Sequence, residues 1–479
     1  MAEKLNKNQI VEIDITGMSH QGFGVGKVDD FVVFTEGALP GERIKARLVS
    51  IKKDYAYGII SEYIEKSPDR RDPFCPVYDL CGGCSLQHMS YESQLKNKTV
   101  RVDDCLKRIG GFTDIPVLPC IGMQEPYEYR NKVQLAVGST GLGEGNKQRG
   151  LSAGFYARRT HQVVYAQQCR IQPGIADQIK DTVLIYMKSN KISAYDETKN
   201  KGLVRHIMVR KSVNTDDVMV VIVATENNRV FMKGLTDILL ASFQDIKTVV
   251  LNLNTKATNV IMGNECVYYY GDGSIQEKLG DLTFRITPLS FFQVNTLQMK
   301  VLYDKVKEYA GLTGEEIVWD LYCGAGTIGL YLADQAKKVI GIESVPQAVE
   351  NAKENTIQNN IRNTEFITGK AEDEINQLIQ STNNIHPDLI IVDPPRKGCH
   401  ERLLSSLCEL RTQKLIYVSC NPSTLARDLK YLNEHGKYEI KKVQPVDMFP
   451  WTEHVETVAL LSKLDVDQHI KVKLDMDEL

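Results

Sequence analysis

Several features that would assign a chain to a specialised class are missing from these 479 residues. No run approaches the roughly 18 apolar residues of a membrane span, and the N-terminal MAEKLNKNQI lacks the apolar stretch of a secretory signal. The eleven cysteines are spread irregularly, unlike those of secreted disulfide scaffolds. A net charge of −3 excludes a uniformly basic nucleic-acid binder, and repeats and low-complexity tracts are absent. We therefore expect a cytoplasmic protein with no membrane partner.

The chain is long enough for several domains, and its pattern changes twice. A hydrophobic content of 42% and a charged content of 25% are typical of globular proteins. Short strands are indicated first, and a proline- and charge-rich stretch, SPDRRDPFCP, follows them. From about residue 288, strands alternate with helices. We predict three domains, 1–66, 67–287 and 288–479, in a monomer.

Residues 10–64 consist of short alternating apolar runs separated by turns that contain glycine and aspartate. This pattern predicts a small β-barrel of about five strands. The GFGVG at 22–26 is interpreted as a hairpin or bulge, because no strand–helix–strand unit surrounds it to make a phosphate loop. Five basic residues lie close together in this stretch: Arg43, Lys45, Arg47, Lys52 and Lys53. Two interpretations are open: their side chains follow the phosphate backbone of a nucleic acid, or they lie on a solvated strand face.

Three cysteines lie within ten positions at the start of the second domain. Cys75 is followed after five residues by Cys81, and two glycines separate Cys81 from Cys84. Because glycine permits a tight turn, the three thiolates can face one centre, and Cys169 is the best candidate for a fourth ligand. Four thiolates suit either zinc or an iron–sulfur cluster, and the spacing leaves the metal open.

The middle of the chain has a local positive charge. Helical spacing over 94–109 precedes a strand-rich stretch, 129–170, that carries seven basic residues and one acid, Glu144, for a local charge of +6. Phe155 and Tyr156 lie within it and could stack on bases. The alternative is a set of solvated hairpins. The basic residues are Arg130, Lys132, Lys147, Arg149, Arg158, Arg159 and Arg170.

The third domain begins as a doubly wound α/β fold. A strand ends near Asp320, a glycine turn at 324–326 follows, and the next strand ends in Glu343, 23 residues after Asp320. An acid at that distance is placed to accept hydrogen bonds from ribose hydroxyls. The motif is DxxCGxG rather than GxGxxG, which favours an S-adenosylmethionine site. A dehydrogenase or a ligand-free α/β domain is the alternative.

Two further strand ends carry reactive groups. Asp393 opens the turn DPPR after a predicted strand, and Cys420 follows the apolar run at 415–418. Asn-Pro then ends that strand, and Ser423 is expected to cap a helix that starts at Thr424 or Leu425. In open α/β sheets such strand ends border the crevice where ligands bind.

The chain contains the sequence blocks FQVN, DLYCGAGTIGL, VDPPRKG, SCNPSTLARDL, FPWTEHVETV and YRNKVQL. Together with the cysteine spacing, these blocks resemble the RNA uracil-5-methyltransferase family, in particular the 23S rRNA 5-methyluridine type. The order of elements in 10–64 resembles a TRAM domain, an OB-like RNA-binding barrel. The resemblance runs from Val11 to about Lys463 and leaves out the tail at 464–479. Trp451 stands where many members carry histidine.

This resemblance implies a barrel, a central α/β domain with an iron–sulfur cluster, and a C-terminal class I Rossmann-like methyltransferase domain, with the helix around 90–112 packed on that last domain. It implies methylation of uridine C5 in RNA, most simply an unfolded or looped segment of 23S rRNA, with S-adenosylmethionine as donor. The implied residues are Cys420 as nucleophile, Glu456 as base, Gln293, Tyr322, Glu343 and Asp393 at the donor, and Cys75, Cys81, Cys84 and Cys169 on a [4Fe–4S] cluster.

Other interpretations exist for Glu456, for the reaction and for the substrate. A glutamate before an apolar strand, such as Glu456, is ordinarily a solvated edge residue. Cytosine-5 enzymes place a second cysteine directly after Asp-x-Pro, where this chain has Arg396, and N-methyltransferases use an NPPY-type motif, whose first position here is Asp393. A tRNA substrate is the alternative within the family, but the barrel and the cysteine cluster resemble the ribosomal RNA branch more than the bacterial transfer RNA branch, which lacks both. A ribosome-assembly factor that binds RNA without catalysis would keep the barrel and the cysteines.

Overall fold

The computed structural model describes residues 5–143, 146–381, 386–410 and 412–464, so the predicted tail beyond Leu464 lies outside the described residues. The chain begins with a closed five-stranded barrel, in the strand order β1-β2-β3-β5-β4. Alternate side chains such as Ile13 and Ile15 are buried inside it, as the period-2 pattern requires. The predicted barrel is therefore confirmed. Its strands are β1 Ile10–Met18, β2 Gly24–Val28, β3 Phe31–Glu36, β4 Arg43–Ile51 and β5 Tyr55–Glu65.

A second sheet of seven strands, the central sheet, follows a long loop and a helix. Two helices cover its strands, and apolar residues such as Val220 and Ile222 are completely buried there. The order across the sheet is β12-β11-β10-β9-β6-β7-β8. Its strands are β6 Lys132–Gly143, β7 Asn146–Tyr156, β8 Val163–Val164, β9 Val204–Lys211, β10 Val218–Ala224, β11 Ile246–Leu253 and β12 Glu265–Tyr270; a hairpin, β13 Ile275–Leu279 and β14 Leu282–Ile286, follows.

The third sheet, the C-terminal sheet, has the order β17-β16-β15-β18-β19-β21-β20. All its pairings are parallel except those of β21, which runs antiparallel between β19 and β20. Its inner strands β15, β18 and β19 are mostly apolar and almost entirely buried, because helices cover both faces. The strands are β15 Ile317–Leu321, β16 Lys338–Glu343, β17 Thr364–Thr368, β18 Leu389–Val392, β19 Lys414–Ser419, β20 Tyr438–Val446 and β21 Glu456–Lys463.

The helices follow the sequence prediction with two corrections. The predicted helix at 94–109 begins earlier, since Ser90 caps it, and its last turn is the π-helical Leu106–Gly110. Ser423 is not a cap: Asn421 caps a helix that starts at Pro422, because asparagine is a strong cap and proline fits the first helical position. The helices are α1 Tyr91–Cys105, α2 Gly174–Ser189, α3 Arg229–Ser242, α4 Thr296–Ala310, α5 Thr327–Leu332, α6 Pro346–Gln358, α7 Ala371–Ser381, α8 Glu401–Glu409 and α9 Pro422–Gly436.

Helix α1 contacts the third sheet although it precedes the central sheet in sequence. Its buried Val102 and the adjoining Leu106 join the apolar cluster that contains α9 residues such as Leu425 and Leu429. The chain thus crosses to the C-terminal sheet, returns to build the central sheet, and crosses again. No helix in the described ranges has both the length and the apolar character needed to cross a bilayer.

Candidate active site

The strand register brings Cys420 and Glu456 together. Ser419, the last residue of β19, is paired with Thr457 of the antiparallel β21, so Cys420 and Glu456 are the next residues on neighbouring strands. Glu456 is only 3% exposed and its strand lies inside the sheet, so its interpretation as a solvated edge residue is wrong. Because β21 runs antiparallel to its neighbours, its first residue, Glu456, lies at the carboxyl ends of the parallel strands, where Cys420 also lies.

The loop after β18 is attached to the helix that follows Cys420. Asn421 donates from its side chain to the Arg396 carbonyl at 3.0 Å. The buried Asp428 of α9 accepts from the Cys399 amide at 2.8 Å and from the Tyr417 hydroxyl at 2.6 Å. These bonds fix the Asp-Pro-Pro-Arg turn against α9.

The ionisable groups around Cys420 are mostly carboxyl groups. Burial, and then the carboxyl groups of Glu456 and Asp393, raise the pKa of its thiol to about 11, and the exposed Arg396 opposes this rise. Burial and Asp393 also hold the pKa of Glu456 well above its ordinary value, and Arg396 again opposes them. Arg396 is thus a cation that favours the ionised forms of both groups.

Two more carboxyl groups, those of Asp320 and Glu343, border the same strand ends as Asp393. Burial raises the pKa of Asp393 to about 7 and that of Asp320, which is completely buried, to about 7. One oxygen of Asp320 accepts from the Gly329 amide at 2.9 Å, and the other has no hydrogen-bond partner among the described residues. Glu343 accepts from the Gly324 amide at 3.2 Å. A buried acid with an unused acceptor is suited to a cationic or hydroxyl-bearing ligand.

The backbone beside these acids leaves room for a ligand. Tyr322, Gly324 and Gly326 have φ angles of +64°, +56° and +76°, and a side chain built on Gly324 would meet no atom within 4 Å. Gln293, 7% exposed, lies just before α4, and its carbonyl accepts from Asn131 at 2.8 Å. Among the described residues, the side chains of Gln293 and Tyr322 form no hydrogen bond or ion pair with Asp393 or Glu343, so their common site remains a prediction.

The loop that leads into Glu456, residues 447–455, is held from three directions. Lys98 of α1 forms a buried ion pair with Asp447, and Tyr91 donates to the same carboxylate at 2.8 Å. Asn295, the cap of α4, donates to the Met448 carbonyl at 3.1 Å. The Trp451 indole donates to the Pro126 carbonyl at 2.6 Å. Sequence reasoning missed Lys98 and Asp447, because nothing in their local patterns distinguishes a buried ion pair from surface charges.

The four cysteines proposed as ligands line one cavity near this loop. Gly83 donates its amide to the Cys81 sulfur at 3.3 Å, and Arg130 lowers the pKa values of Cys81, Cys84 and Cys169, which burial raises. Within the described ranges no three His, Cys, Asp or Glu side chains come close enough together to hold a metal ion.

The cysteine-bearing loop also touches the 447–455 loop directly. The amides of Ser85 and Leu86 both donate to the Trp451 carbonyl at 3.0 Å. The Ser85 hydroxyl bonds to the Glu453 carboxylate. The chain therefore connects the cysteine cavity to the strand of Glu456 through a few hydrogen bonds.

A groove opens between the barrel and these two loops; we call it the basic groove. It is lined by Phe23 of the barrel, by Arg130, Arg158 and Arg159, by the aromatic rings of Phe155 and Tyr156, and by residues 452–454. Arg158 bonds to the barrel residue Glu36 at 2.8 Å and to the Cys84 carbonyl at 3.0 Å. Of the predicted basic patch, Glu144 and the side chains of Lys147 and Arg149 lie outside the described residues.

Comparisons with known proteins agree with this architecture. Residues 232–464 match the model of the tRNA (uracil-5-)-methyltransferase family, and residues 4–60 match that of the TRAM domain. The chain is 45% identical over 463 residues to an uncharacterized RNA methyltransferase of Clostridium acetobutylicum, covering 96% of this chain and 98% of that one. A relative from Halalkalibacterium halodurans, also an uncharacterized RNA methyltransferase, is 45% identical over 457 residues and covers 95% and 98%.

A solved structure also resembles the whole chain. It is the tRNA (uracil-54, C5)-methyltransferase of Pyrococcus abyssi in complex with S-adenosyl-L-homocysteine. The TM-score is 0.73 and the sequence identity 30%, over 94% of this chain and 100% of that one.

Proposed function

Since the chain belongs to the RNA uracil-5-methyltransferase family, and is therefore an S-adenosylmethionine-dependent RNA methyltransferase with an N-terminal TRAM domain, we propose that it methylates C5 of specific uridines through a covalent adduct on Cys420. The observation that carries this proposal is the register that makes Cys420 and Glu456 neighbours at the carboxyl edge of the sheet. A nucleophile and a base are both needed there, because C5 of uracil is a poor nucleophile.

Cys420 begins the reaction. Its sulfur adds to C6 of the uracil, and the electrons of the C5–C6 double bond move to C5 and the O4 carbonyl. A thiol whose pKa is about 11 is almost entirely protonated at neutral pH, so the proton must pass to an acceptor as the sulfur attacks. The neighbouring Asp393 is the candidate acceptor, because Glu456 must stay ionised for its later step, and Arg396 favours the charged sulfur.

Glu456 completes the reaction. After C5 has gained the methyl group, a base must remove the C5 proton so that the C6–S bond breaks and Cys420 is released. Glu456 must be ionised to do so, and its burial among Asp393 and Cys420 makes it a strong proton acceptor once it is ionised. The unusual burial of this carboxyl group is therefore suited to a base.

The donor site fits S-adenosylmethionine. The buried Asp320 keeps an unused oxygen, Glu343 ends the next strand, and the turn at Gly324 is open to an approaching ligand. When bound, S-adenosylmethionine supplies an electrophilic methyl group on a positively charged sulfur. We assign Gln293, Tyr322, Glu343 and Asp393 as its contacts, and the cluster of raised carboxyl pKa values suits a cationic ligand.

We assign a [4Fe–4S] cluster to Cys75, Cys81, Cys84 and Cys169. All four line one cavity, and Arg130 and the Gly83 amide provide the positive charge and hydrogen bonding that sulfur ligands of such clusters receive. The absence, among the described residues, of three donors around one ion argues against a single zinc ion. When present, a four-iron cluster would be held by the thiolates of these four cysteines. Because Ser85 and Leu86 adjoin Cys84 and hold Trp451, the cluster's role is to fix this region of the fold.

The substrate we propose is a looped or unfolded segment of 23S rRNA, bound in the basic groove. The base must leave its stack to reach Cys420, which costs least where it is already unpaired. A tRNA substrate is the second candidate, and the similarity to the Pyrococcus abyssi tRNA enzyme favours it. The test incubates the protein with labelled methyl donor and either 23S rRNA or tRNA, and then maps the modified base.

Label in 5-methyluridine of 23S rRNA is the expected result, and label in tRNA alone would select the second candidate. Label in 5-methylcytidine, or on a base nitrogen, would contradict the reaction that we propose. RNA binding without label would instead support the non-catalytic assembly factor.

A further inference from the structure

A second cavity, on the central sheet, is not used by the proposed reaction. Its volume is about 470 Å³, within the size range of small-ligand sites. We call it the His206 pocket; its lining includes Tyr156, His161, Tyr195, Glu197, Arg205 and His206.

The feature that makes this cavity a candidate site is His206. It lies on β9 between β6 and β10, opposite Ala136 and Val223, and is only 5% exposed. Both of its ring nitrogens are buried without a hydrogen-bond partner among the described residues. Burial, and then the charge of Arg205, lower the pKa of His206 to about 4, so the ring is neutral at physiological pH and offers one donor and one acceptor.

The other walls are rigid, aromatic and polar. The Tyr156 ring stands edge-on to His206, with a centroid distance of 6.5 Å. Glu197 fixes His161 at 2.6 Å and accepts from the Tyr156 hydroxyl at 3.3 Å. The Arg205 guanidinium lies 4.4 Å from the centroid of the Tyr195 ring.

Arg205 cannot easily move away from this position. It donates to the carbonyl groups of Asn254, Lys256 and Thr258 at 3.2, 2.6 and 3.1 Å. The pocket therefore combines planar stacking surfaces with an unused donor and an unused acceptor, which is the set of contacts that an unpaired nucleobase requires.

The position of the pocket indicates where that base comes from. Tyr156 lines both the His206 pocket and the basic groove, and the groove continues through Arg158 to residues 452–454, close in sequence to Glu456. An RNA strand in this groove would present one uridine to Cys420 and a nearby nucleotide to His206. The groove thus favours RNA over a free small molecule.

We propose that the His206 pocket binds a second unpaired nucleobase of the RNA substrate, outside the target uridine, and so contributes to site selection. The inference rests on the proposed function, since the groove must hold RNA. It adds a base-reading position on the central sheet, remote from the reacting atoms.

The test compares His206→Leu with the wild-type chain by filter binding, without methyl donor, to RNA fragments in which single nucleotides are made abasic. The wild type should lose about tenfold in affinity at one position besides the target uridine. His206→Leu should bind the intact RNA about tenfold more weakly and lose nothing further at that same position. The control variant is His386→Leu. His386 lies just before β18, at the end of the C-terminal sheet opposite the crevice, so this variant should behave like the wild type.

Thermal unfolding separates this role from a structural one. Because both nitrogens of His206 lack partners, His206→Leu should unfold at the same temperature as the wild type or above it. An abasic profile that is flat outside the target, or an equal loss for His206→Leu at every position, would overturn the proposal. Binding of free nucleosides together with a flat profile would assign the pocket to a small molecule and also overturn it.

Binding without donor does not depend on turnover. Failure to form 5-methyluridine would therefore overturn the proposed function, whereas methylation with a flat abasic profile would overturn only the inference about the pocket.

Discussion

Two regions of the molecule, the surroundings of Cys420 and the cavity lined by four cysteines, differ in the charges near their thiol groups. The pKa values of Cys420 and Cys84 are both raised to about 11, and burial is the largest cause in each case. Around Cys420 the neighbouring carboxyl groups contribute to this rise. Around Cys84, Arg130 and the Gln87 side chain lower the thiol pKa.

This difference separates two uses of sulfur. A metal ligand must remain a thiolate, so arginine and hydrogen-bond donors around it are favourable. A nucleophile that forms and breaks a bond in each cycle can remain a thiol until its substrate arrives, provided that proton acceptors stand beside it. The surroundings, more than the depth of burial, distinguish the two roles.

The largest effect should come from removing the sulfur that reacts. Cys420→Ala should lower turnover by on the order of 10⁴-fold or more, because the covalent bond between this sulfur and C6 can no longer form. Cys408→Ala, a half-buried cysteine at the end of α8, should keep full activity. The measurement is the rate of 5-methyluridine formation. Normal turnover by Cys420→Ala would remove the distinction between the two cysteine groups.

The next largest effect should come from the base. Glu456→Gln should lower turnover by about 10² to 10⁴-fold and accumulate a covalent protein–RNA adduct, because the C5 proton stays in place and the C6–S bond cannot break. The adduct is measured as a denaturation-resistant band on a gel. Glu453→Gln, in the same loop, should not accumulate it. A Glu456→Gln protein that turns over normally without adduct would show that another group is the base.

At the cysteine cavity we expect loss of stability rather than loss of chemistry. Cys84→Ser should lose bound iron and its visible absorbance and should lower the free energy of unfolding by about 4 kcal/mol or more. Cys120→Ser, the same change at a buried cysteine that does not line the cavity, should retain the iron. The alkylation rate of Cys420 should be unchanged in both. Loss of iron with unchanged stability would contradict the structural role of the cluster.

The smallest effect should come from Arg396. Because this exposed cation lowers the pKa of Cys420, Arg396→Gln should raise that pKa and slow alkylation at neutral pH by about two- to tenfold. The rate should recover as pH rises, and Arg396→Lys, which keeps the charge, should stay close to the wild type. An unchanged pH dependence in Arg396→Gln would mean that solvent screens its charge completely.

Much of this site could be predicted from local sequence. Alternating apolar residues predicted the barrel, and apolar runs that end in Asp320, Glu343, Asp393 and Cys420 predicted strands whose carboxyl ends share one edge. The cap of α9 was predicted wrongly, because Ser423 and Asn421 both have suitable side chains and only the helix start distinguishes them.

Other features depend on groups far apart in sequence. The ion pair of Lys98 and Asp447 joins residues separated by 349 positions, and both are ordinary charged residues in their local context. The lack of hydrogen-bond partners for the ring nitrogens of His206, among the described residues, could not be predicted from the sequence either. The burial of this side chain depends on strands that pair across the central sheet.

Residue type and short-range periodicity are enough to predict the barrel and to identify the groups available for chemistry, which are a thiol and acids at strand ends and four further cysteines. Two further facts needed the three-dimensional fold: Glu456 is buried beside Cys420, and Cys169 lines the same cavity as the other three cysteines. The physical reason is that an antiparallel strand and a distant loop acquire their neighbours through long-range pairing. The electrostatic surroundings of a thiol are then the sum of every group that packing brings near it.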